Sequence, residues 1–265
     1  MNTTEFIALT LPFEVNLYDT LVQSIAFENI AKGRLGNHLV KIEEEGIPII
    51  RTTTQYNISA QSFSNIHDSI VASINRVIER SGPNDLPSAH FNHALIEIYD
   101  NSYYKMNYHS DQNLDLDPNS CIGLFSCYEK PEELSEHHLR KLIVKAKDND
   151  DALEIPLTHN SVVLFSVETN NKFLHKIILD PVPNRKPLQL DNKWLGITFR
   201  KSKTFIKFEG NLPYFSDRRL LELANEEQKA AFFKLRTQEN SHSNFVYPAL
   251  SYTLSVADRL MPTNR

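Results

Sequence analysis

Glycine is scarce in this chain, with seven residues among 265. At the usual glycine content of about 7%, a chain of this length would carry more than twice as many. Loops that cradle phosphate groups need clustered glycines, because only a residue without a side chain lets the backbone wrap an anion closely. The one close pair, Gly33 and Gly36, is followed by Asn37 and His38 rather than by the lysine and hydroxyl residue of a P-loop. The sequence therefore argues against a P-loop nucleotidase or a Rossmann dehydrogenase.

Cysteine is also scarce, and long apolar runs are missing. Cys121 and Cys127 are the two cysteines, six positions apart in one apolar stretch. On a strand, six residues span about 20 Å, which is too far for a disulfide, so we predict buried thiols in a reducing compartment. No apolar run approaches the roughly 20 residues of a membrane span, and the N-terminus carries Glu5 and no basic region. We therefore expect no membrane segment, no signal peptide and a cytoplasmic location.

A basic surplus is absent as well. Lys and Arg number 28 against 33 Asp and Glu, which gives a formal net charge of −5. A protein that binds nucleic acid by neutralising phosphates usually carries a basic surplus. The charge therefore does not favour nucleic acid as a partner, and a small-molecule substrate is the preferred expectation.

The order of helical and strand patterns divides the chain into three zones within one catalytic domain. Residues 1–90 are predicted to form an N-terminal α/β support region, residues 91–206 a β-rich core and residues 207–265 a C-terminal helical extension. The predicted elements of the outer zones are a helix over 19–31, a hairpin over 38–53, an amphipathic helix over 63–80, and helices over 218–239 and 248–260. The C-terminal helices could also form a homodimer contact.

Eight short runs rich in Ile, Leu, Val, Phe and Tyr fill the middle zone. They are HALIEIY, MNYHSD, SCIGLFSCY, RKLIVKAK, LEIPL, SVVLFSV, KFLHKIIL and WLGITFRK. Such a succession predicts strands, and eight of them favour a double-sheet jelly roll over alternating βα units. The predicted fold class is α+β: a double-stranded β-helix (jelly-roll) core with N-terminal helices and a hairpin packed on it, and a C-terminal helical extension.

His109 and Asp111 lie two positions apart in the run MNYHSD. Strand side chains alternate between faces, so residues i and i+2 project to the same side, where an imidazole and a carboxylate can converge on one metal ion. Two ligands do not hold a divalent ion selectively, and His175 in KFLHKII is a third candidate on a later strand. Two histidines and one carboxylate with open positions form the facial triad of non-haem Fe(II) oxygenases.

Arg200 ends the last predicted strand, which follows the strand of His175. Its guanidinium offers a planar fork for a carboxylate. The HxD tripeptide by itself arises by chance in many proteins. Combined with a distal histidine and an arginine on the next strand, it points to a metal site beside a carboxylate-binding arginine.

These residues resemble those of the Fe(II)/2-oxoglutarate-dependent dioxygenases, and within them the AlkB-like branch, over residues 90–205, with a weaker resemblance in the preceding predicted hairpin at PIIRTTTQY. The iron ligands that the resemblance implies are His109, Asp111 and His175. The implied co-substrate contacts are Arg200, on the distal carboxylate of 2-oxoglutarate, with Tyr99 and Thr198. Fe(II), 2-oxoglutarate and O2 are therefore the implied cofactors.

The resemblance also bears on the reaction. Family members that halogenate have Gly or Ala at the position of Asp111, so a carboxylate here favours hydroxylation, with release of succinate and CO2. Trp194 stands where the AlkB-like pattern has a second arginine, and Glu97 and Gly196 stand where it has asparagines. These departures weigh against nucleobase repair. We also expect Gly196 to leave room for the co-substrate on the last strand.

Candidate substrate residues flank the metal motif and begin the last strand. They are Tyr103, Tyr104, Gln112, Asn113 and Trp194. Asp115 and Asp117 would add negative charge near the mouth of the site. Such a mouth would suit a cationic or zwitterionic substrate.

Three functions are compatible with the sequence. The preferred one is an Fe(II)/2-oxoglutarate-dependent oxygenase that hydroxylates a small molecule, either amino-acid-like or another metabolite. The second is an AlkB-type oxidative dealkylase of nucleic acid or of a protein side chain, which a basic, aromatic-lined groove at the iron mouth would favour. The third is a non-catalytic jelly-roll protein that binds a metal or another ligand.

Overall fold

Short antiparallel strands dominate the computed structural model, which describes residues 5–81, 86, 89–135, 138–180 and 191–264. The strands are β1 Ile7–Thr10, β2 Glu28–Ala31, β3 Arg34–Val40, β4 Ile47–Pro48, β5 Gln61–Ser62, β6 His93–Tyr99, β7 Cys121–Tyr128, β8 Arg140–Ala146, β9 Ala152–Pro156, β10 Ser161–Ser166, β11 Phe173–Leu179, β12 Trp194–Arg200, β13 Phe205–Glu209, β14 Leu212–Phe215, β15 Glu222–Leu223 and β16 Tyr252–Thr253. The helices are α1 Tyr18–Ser24, α2 Asn65–Ser81, α3 Val167–Lys172 and α4 Glu226–Ser241, with 3-10 turns at Pro131–Glu133 and Val256–Arg259.

Two sheets contribute side chains to one buried cluster. The larger sheet has the order β1-β10-β7-β12-β6-β3-β2, with β5 paired to β3, and the smaller has the order β11-β8-β9. Leu124 of β7 and Trp194 of β12 belong to the same cluster as Leu142 and Val144 of β8. Because strand side chains alternate, each sheet turns one row of residues toward this cluster. The arrangement agrees with the jelly-roll core that the sequence predicts.

Helices α1 and α2 cover the opposite face of the larger sheet. Ile74 of α2 is fully buried in one cluster with Ile96 of β6 and Phe199 of β12. The apolar stripe of the helix therefore meets the second row of strand side chains. Cys121 and Cys127 lie in this layer as buried thiols, as the sequence predicts.

One of the eight core runs is not a strand. The run MNYHSD makes one isolated bridge, between His109 and His175, and Lys105 just before it makes another with Ile178. The other seven runs correspond to β6, β7, β8, β9, β10, β11 and β12. The segment before Asp111 therefore passes along β11, the edge strand of the smaller sheet, but does not form a continuous strand with it.

Two predictions for the N-terminal zone are wrong. The helix predicted over residues 19–31 ends at Ser24, and the chain from Glu28 forms β2, because its main chain pairs with β3. The hairpin predicted over residues 38–53 is reduced to a tight turn with a bridge between Glu43 and Gly46, since β3 pairs with β2 and β6 while β4 pairs with β13. Strands of this zone are thus part of the larger sheet rather than a layer packed on it.

The C-terminal zone is helical only in part. α4 begins with a capping box in which Asn225 and Gln228 exchange hydrogen bonds. The chain before it forms β13, β14 and β15, and the second helix predicted, over residues 248–260, is replaced by β16 and a 3-10 turn. Among the helices of the described ranges, none is long and apolar enough to cross a lipid bilayer.

Asp258 is a buried carboxyl group in the C-terminal segment. It accepts a hydrogen bond from Thr253 Oγ1 and belongs to the 3-10 turn that begins at Val256. Burial raises the pKa of Asp258 to about 7, and the nearby Asp115 carboxylate adds to the rise against the opposing effects of Thr253 and Arg51. The folded state therefore binds a proton here that the unfolded chain gives up near pH 4.

This carboxyl makes folding stability depend on pH. Because the pKa of Asp258 is higher in the folded state, its contribution is complete below about pH 4 and is lost as the pH rises through 7. From pH 5 to pH 8 the free energy of unfolding of the wild type should fall by about 1–3 kcal/mol more than that of Asp258→Asn, because the amide does not titrate. Urea denaturation at both pH values measures this, with the exposed Asp148→Asn as control. Parallel pH profiles for wild type and Asp258→Asn would contradict it.

Candidate metal centre

Three side chains that the sequence singles out converge in the structure. The candidate ligand atoms of His109, Asp111 and His175 all lie within 4.8 Å of one another. His175 is in the middle of β11, and His109 is fixed beside it by a pair of backbone hydrogen bonds of 2.9 and 2.7 Å. The two imidazole ring centroids are 4.6 Å apart. A single ion could therefore contact all three side chains.

His109 is oriented for metal binding by its own backbone. Its Nδ1 is 2.9 Å from the Asn107 carbonyl oxygen, which leaves Nε2 for a metal ion. The pKa of His109 is lowered to about 3, first by burial and then by the charges of His175 and Arg236. The ring is therefore neutral at physiological pH and keeps the lone pair that a metal needs.

Asp111 is buried and ionised. Its Oδ2 accepts a hydrogen bond of 2.7 Å from Arg200 Nε, and its Oδ1 is 3.6 Å from His175 Nε2. Burial by itself would raise the pKa of Asp111, but the Arg200 guanidinium and His175 outweigh burial and hold it below its usual range. Asn170 bonds both the N–H and the C=O of Asp111, at 2.7 and 2.8 Å, so the backbone of this residue is fixed as well.

The chemistry of this donor set fits a divalent transition metal. A neutral imidazole, a second imidazole and one carboxylate are the donors of the facial triad that binds non-haem Fe(II). Two of the three candidate ligands are held from outside, His109 by the Asn107 carbonyl and Asp111 by Arg200. Such supporting hydrogen bonds orient ligands toward a metal.

A cavity of about 120 Å³, here called the central cavity, lies beside these three residues, all of which line it. Its other polar and charged lining residues include Arg34, Tyr56, Glu97, Tyr99, Gln112, Thr198, Arg200 and Arg236. Three arginines thus stand against the two carboxylates of Glu97 and Asp111. The cavity has a positive formal charge before any metal ion is added, which favours anionic occupants.

The predicted co-substrate residues all line the central cavity, but two of them already make side-chain hydrogen bonds, Arg200 to Asp111 and Tyr99 to Glu97. Arg200 and Thr198 project from the same face of β12. The Tyr99 hydroxyl donates a hydrogen bond of 2.7 Å to Glu97 Oε2, and Glu97 Oε1 accepts from Arg34 Nε at 2.6 Å. Arg34, Glu97 and Tyr99 therefore form a closed network in the cavity wall.

Of the five predicted substrate residues, Gln112 lines the central cavity. The Tyr103 ring packs on the Tyr99 ring at a centroid distance of 4.6 Å, and the Tyr104 side chain is 47% exposed. Asn113 lines a different cavity. Of the five predicted substrate residues, four therefore lie outside the lining of the central cavity: Tyr103, Tyr104, Asn113 and Trp194.

Trp194 and Gly196 correct one expectation about space. Trp194 is buried against Tyr99, with ring centroids 4.9 Å apart. A Cβ built on Gly196 would lie 2.0 Å from the Trp194 indole. The space left by the missing side chain is therefore filled by tryptophan rather than reserved for a co-substrate.

The acidic mouth expected from Asp115 and Asp117 does not form. Asp115 is fully buried and accepts hydrogen bonds from Arg51 Nε and Nη2 at 3.0 and 2.7 Å. Asp117 is paired with Lys201 at 3.1 Å. Both carboxylates are neutralised by cations outside the central cavity. The acidic mouth was the argument for a cationic or zwitterionic substrate, and that argument no longer holds.

Helix α4 supports the metal segment from outside, a role that the sequence does not reveal. Glu239 is buried, and its Oε1 accepts a hydrogen bond of 2.8 Å from the Asn113 N–H. Its Oε2 accepts from the Tyr247 hydroxyl at 2.7 Å and from Arg236, which also donates to the Ser110 carbonyl. Residues on both sides of Asp111 are therefore held by one buried carboxylate and its partners.

Arg34, Tyr56, Arg236 and Glu239 were not identified from the sequence. Arg236 and Glu239 belong to a helix that is polar on most faces, so no periodicity distinguishes them. Arg34 is a single charge that reaches the cavity only because β3 pairs with β6. Tyr56 lies in the loop between β4 and β5, at the end of the run PIIRTTTQY, where the weaker resemblance to the family did not single out any residue.

We expect Glu239→Gln to weaken Mn(II) binding about 10-fold, the lower end of the effect for direct partners of metal ligands, because Glu239 holds the neighbours of Asp111 rather than a candidate ligand itself. The amide keeps only one acceptor oxygen, so it cannot receive the bonds that Asn113, Tyr247 and Arg236 give to the carboxylate. Calorimetric titration with Mn(II) measures the change. The exposed Glu227→Gln in the first turn of α4 is the matched control, and wild-type Mn(II) affinity in Glu239→Gln would contradict the role.

Three solved structures are similar to this chain to different degrees. A structure of OsALKBH1 superposes with a TM-score of 0.50 at 16% identity, covering 76% of this chain and 100% of that one. A Pseudomonas putida prolyl-4-hydroxylase gives 0.43 at 10% identity, covering 75% and 94%. A Trichoplax adhaerens prolyl hydroxylase, in complex with a hypoxia inducible factor peptide fragment, gives 0.43 at 12%, covering 75% and 84%. At these identities, the similarity to OsALKBH1 is one of fold.

Sequence comparison identifies the family. No curated protein sequence matches the chain. The model of the 2OG-Fe(II) oxygenase superfamily matches residues 35–200, which include the possible iron site at His109, Asp111 and His175. The chain therefore belongs to the 2OG-Fe(II) oxygenase superfamily, whose cofactors are Fe(II), 2-oxoglutarate and O2.

Proposed function

We propose that this protein is an Fe(II)/2-oxoglutarate-dependent oxygenase that hydroxylates a small molecule, amino-acid-like or another metabolite, with release of succinate and CO2. The observation that carries the proposal is the central cavity. It joins a two-histidine, one-carboxylate cluster to three arginine side chains in a buried site. A metal-dependent reaction with an anionic co-substrate requires both features.

His109, Asp111 and His175 are proposed to hold the metal. When bound, Fe(II) with 2-oxoglutarate and O2 supplies the oxidising power for hydroxylation of a C–H bond. Arg200 has two proposed tasks: its Nε keeps Asp111 ionised and oriented, and its other nitrogens, with Thr198, contact the co-substrate. Hydroxylation is favoured over halogenation because a carboxylate occupies position 111.

The charge of the central cavity supports an acid as substrate. Three arginines and a divalent cation exceed Glu97, Asp111 and the two carboxylates of 2-oxoglutarate by one positive charge. A substrate that carries a carboxylate would balance this excess. An organic acid with a net negative charge therefore fits best, and an amino acid fits if its carboxylate enters the cavity while its ammonium group stays outside it.

Oxidative dealkylation is the second candidate, and one surface feature favours it. Tyr108, next to His109, lies beside two lysines, with Lys176 Nζ at 4.2 Å and Lys145 Nζ at 5.0 Å from its ring centroid. Aromatic rings beside cations can bind nucleic acid by stacking and charge. Lys145 is also paired with Asp150 at 2.7 Å, which reduces the positive charge of this surface.

Succinate formation from labelled 2-oxoglutarate tests the proposal. The protein with Fe(II) and ascorbate is expected to produce succinate, and amino acids or other organic acids are expected to stimulate it. Methylated oligonucleotides at physiological salt serve as the competing panel. His175→Ala, which lacks one proposed ligand, is the control. Stimulation by the oligonucleotides alone would favour dealkylation, and no succinate above the His175→Ala level would reject the oxygenase.

A further inference from the structure

The side-chain amide of Gln112 is buried in the wall of the central cavity and held at both ends. Its Oε1 accepts a hydrogen bond of 2.7 Å from the Thr53 N–H, and its Nε2 donates one of 3.3 Å to the Tyr247 hydroxyl. Thr53 lies in the loop between β4 and β5, and Tyr247 lies after α4. Two distant segments of the chain therefore fix one amide next to Asp111.

The partners of Gln112 also determine which end of the amide is the oxygen. The Thr53 N–H can only donate, so the atom that receives it is the carbonyl oxygen. At the other end, the Tyr247 hydroxyl donates its one proton to Glu239 Oε2 at 2.7 Å, so it accepts from the amide. Burial, followed by the Glu239 carboxylate, raises the pKa of Tyr247, and the hydroxyl therefore keeps this proton. The hydrogen bonds run in one direction, from Gln112 through Tyr247 to Glu239.

One N–H of the Gln112 amide is left without a protein acceptor. A primary amide carries two N–H donors, and within the described ranges Nε2 makes its hydrogen bond to Tyr247. Tyr247 lines the cavity that Asn113 lines and is not part of the lining of the central cavity. The N–H that Tyr247 accepts therefore points out of the central cavity, and the second N–H of the same nitrogen remains for an occupant of it.

The charge of the central cavity decides what this N–H meets. Three arginines outnumber two carboxylates among the lining residues, so an anionic occupant is favoured. Arg34 is paired with Glu97, and Arg236 donates to Glu239, so these two guanidinium groups are partly used inside the protein. The Gln112 oxygen could accept a second hydrogen bond, but an anion has only acceptors to offer. The free N–H is therefore the part of the amide that suits an acid.

The residues that hold Gln112 are separate from the proposed co-substrate contacts. Arg200 and Thr198 belong to β12, whereas neither Thr53 nor Tyr247 belongs to that strand. Arg200 reaches Asp111 through its side-chain Oδ2, and the neighbouring Gln112 is oriented from the loop after β4 and from the C-terminal zone. The amide is therefore assigned to the substrate rather than to 2-oxoglutarate.

We propose that Gln112 determines substrate specificity by donating its free N–H to a carboxylate oxygen of the substrate, and that Tyr247 is the positioning residue that keeps this donor directed into the central cavity. The inference rests on the proposed function, because it takes the substrate to be an organic acid bound in that cavity. It gives the C-terminal zone a part in substrate choice, through a tyrosine that does not line the central cavity.

Gln112→Met tests the donor, because methionine is similar in length and has no N–H. The probe is isobutyrate, a small organic acid, added to protein loaded with Mn(II) and saturated with 2-oxoglutarate. Broadening of the isobutyrate methyl resonance by the paramagnetic Mn(II) reports binding beside the metal. We expect Gln112→Met to bind isobutyrate about 10-fold more weakly than the wild type and to keep wild-type affinity for 2-oxoglutarate. Gln55→Met, at an exposed position in the loop of Thr53, is the matched control.

Tyr247→Phe tests the positioning role and applies even if Gln112→Met does not fold. Without the hydroxyl the amide can turn, so we expect isobutyrate binding to weaken about 3-fold. The double variant of Gln112→Met and Tyr247→Phe should lose no more affinity than Gln112→Met alone, because Tyr247 acts through Gln112. Two losses that multiply in the double variant would contradict the positioning role.

Wild-type affinity for isobutyrate in Gln112→Met would overturn the proposal and leave the proposed function intact. The absence of isobutyrate broadening in the wild type with Mn(II) and 2-oxoglutarate bound would overturn it in the same way. An equal loss of affinity for 2-oxoglutarate in Gln112→Met would also overturn it, since the donor would then serve the co-substrate. Failure of the Mn(II)-loaded wild type to bind 2-oxoglutarate would instead reject the proposed function itself.

Discussion

The buried carboxylate of Asp111 is the group on which the site depends. An ionised carboxylate inside a protein needs counter-charges, because removal from water is costly. The Arg200 guanidinium supplies one at 2.7 Å, and His175 lies 3.6 Å away on the other oxygen. A divalent ion at this position would complete the neutralisation. Both sheets are therefore needed to neutralise this carboxylate, because Arg200 ends a strand of the larger sheet and His175 lies on the smaller one.

The polar framework around this carboxylate extends well beyond the two sheets. Asn170 at the end of the α3 segment holds the Asp111 backbone. Glu239 of α4 holds the Asn113 N–H, while Arg236 reaches the Ser110 carbonyl. The C-terminal zone therefore supports the candidate metal site through residues on both sides of Asp111. This explains why the short run before Asp111 can keep its position with only isolated bridges to β11.

The core strands and the three candidate ligands were accessible to sequence analysis because their signals are local. Alternating apolar residues mark a strand, and the HxD spacing places His109 and Asp111 together without knowledge of the rest of the chain. β2 was missed because only its pairing with β3 makes residues from Glu28 onward a strand. Long-range pairing carries no local pattern, so it has to be read from the structure.

The roles of the residues that sequence analysis missed or placed wrongly also depend on distant contacts. Tyr247 matters because its hydroxyl joins Gln112 to Glu239, which belong to other segments. Trp194 was expected to face a substrate, but it fills the space above Gly196. Asp115 was expected at the mouth, but it neutralises Arg51 instead. In each case the sequence shows the residue type, but the role of the residue depends on which side chains it contacts in the folded structure.

The central claim is that His109, Asp111 and His175 bind one Fe(II) that 2-oxoglutarate then contacts. Anaerobic titration of Fe(II) into the protein with saturating 2-oxoglutarate, followed by visible charge-transfer absorption, tests it most directly. We predict a band that saturates at one Fe(II) per chain in the wild type. The band should be lost in Asp111→Ala and in His109→Ala, with folding of both variants checked by circular dichroism. No band in the wild type, or a full band in folded Asp111→Ala, would contradict the account.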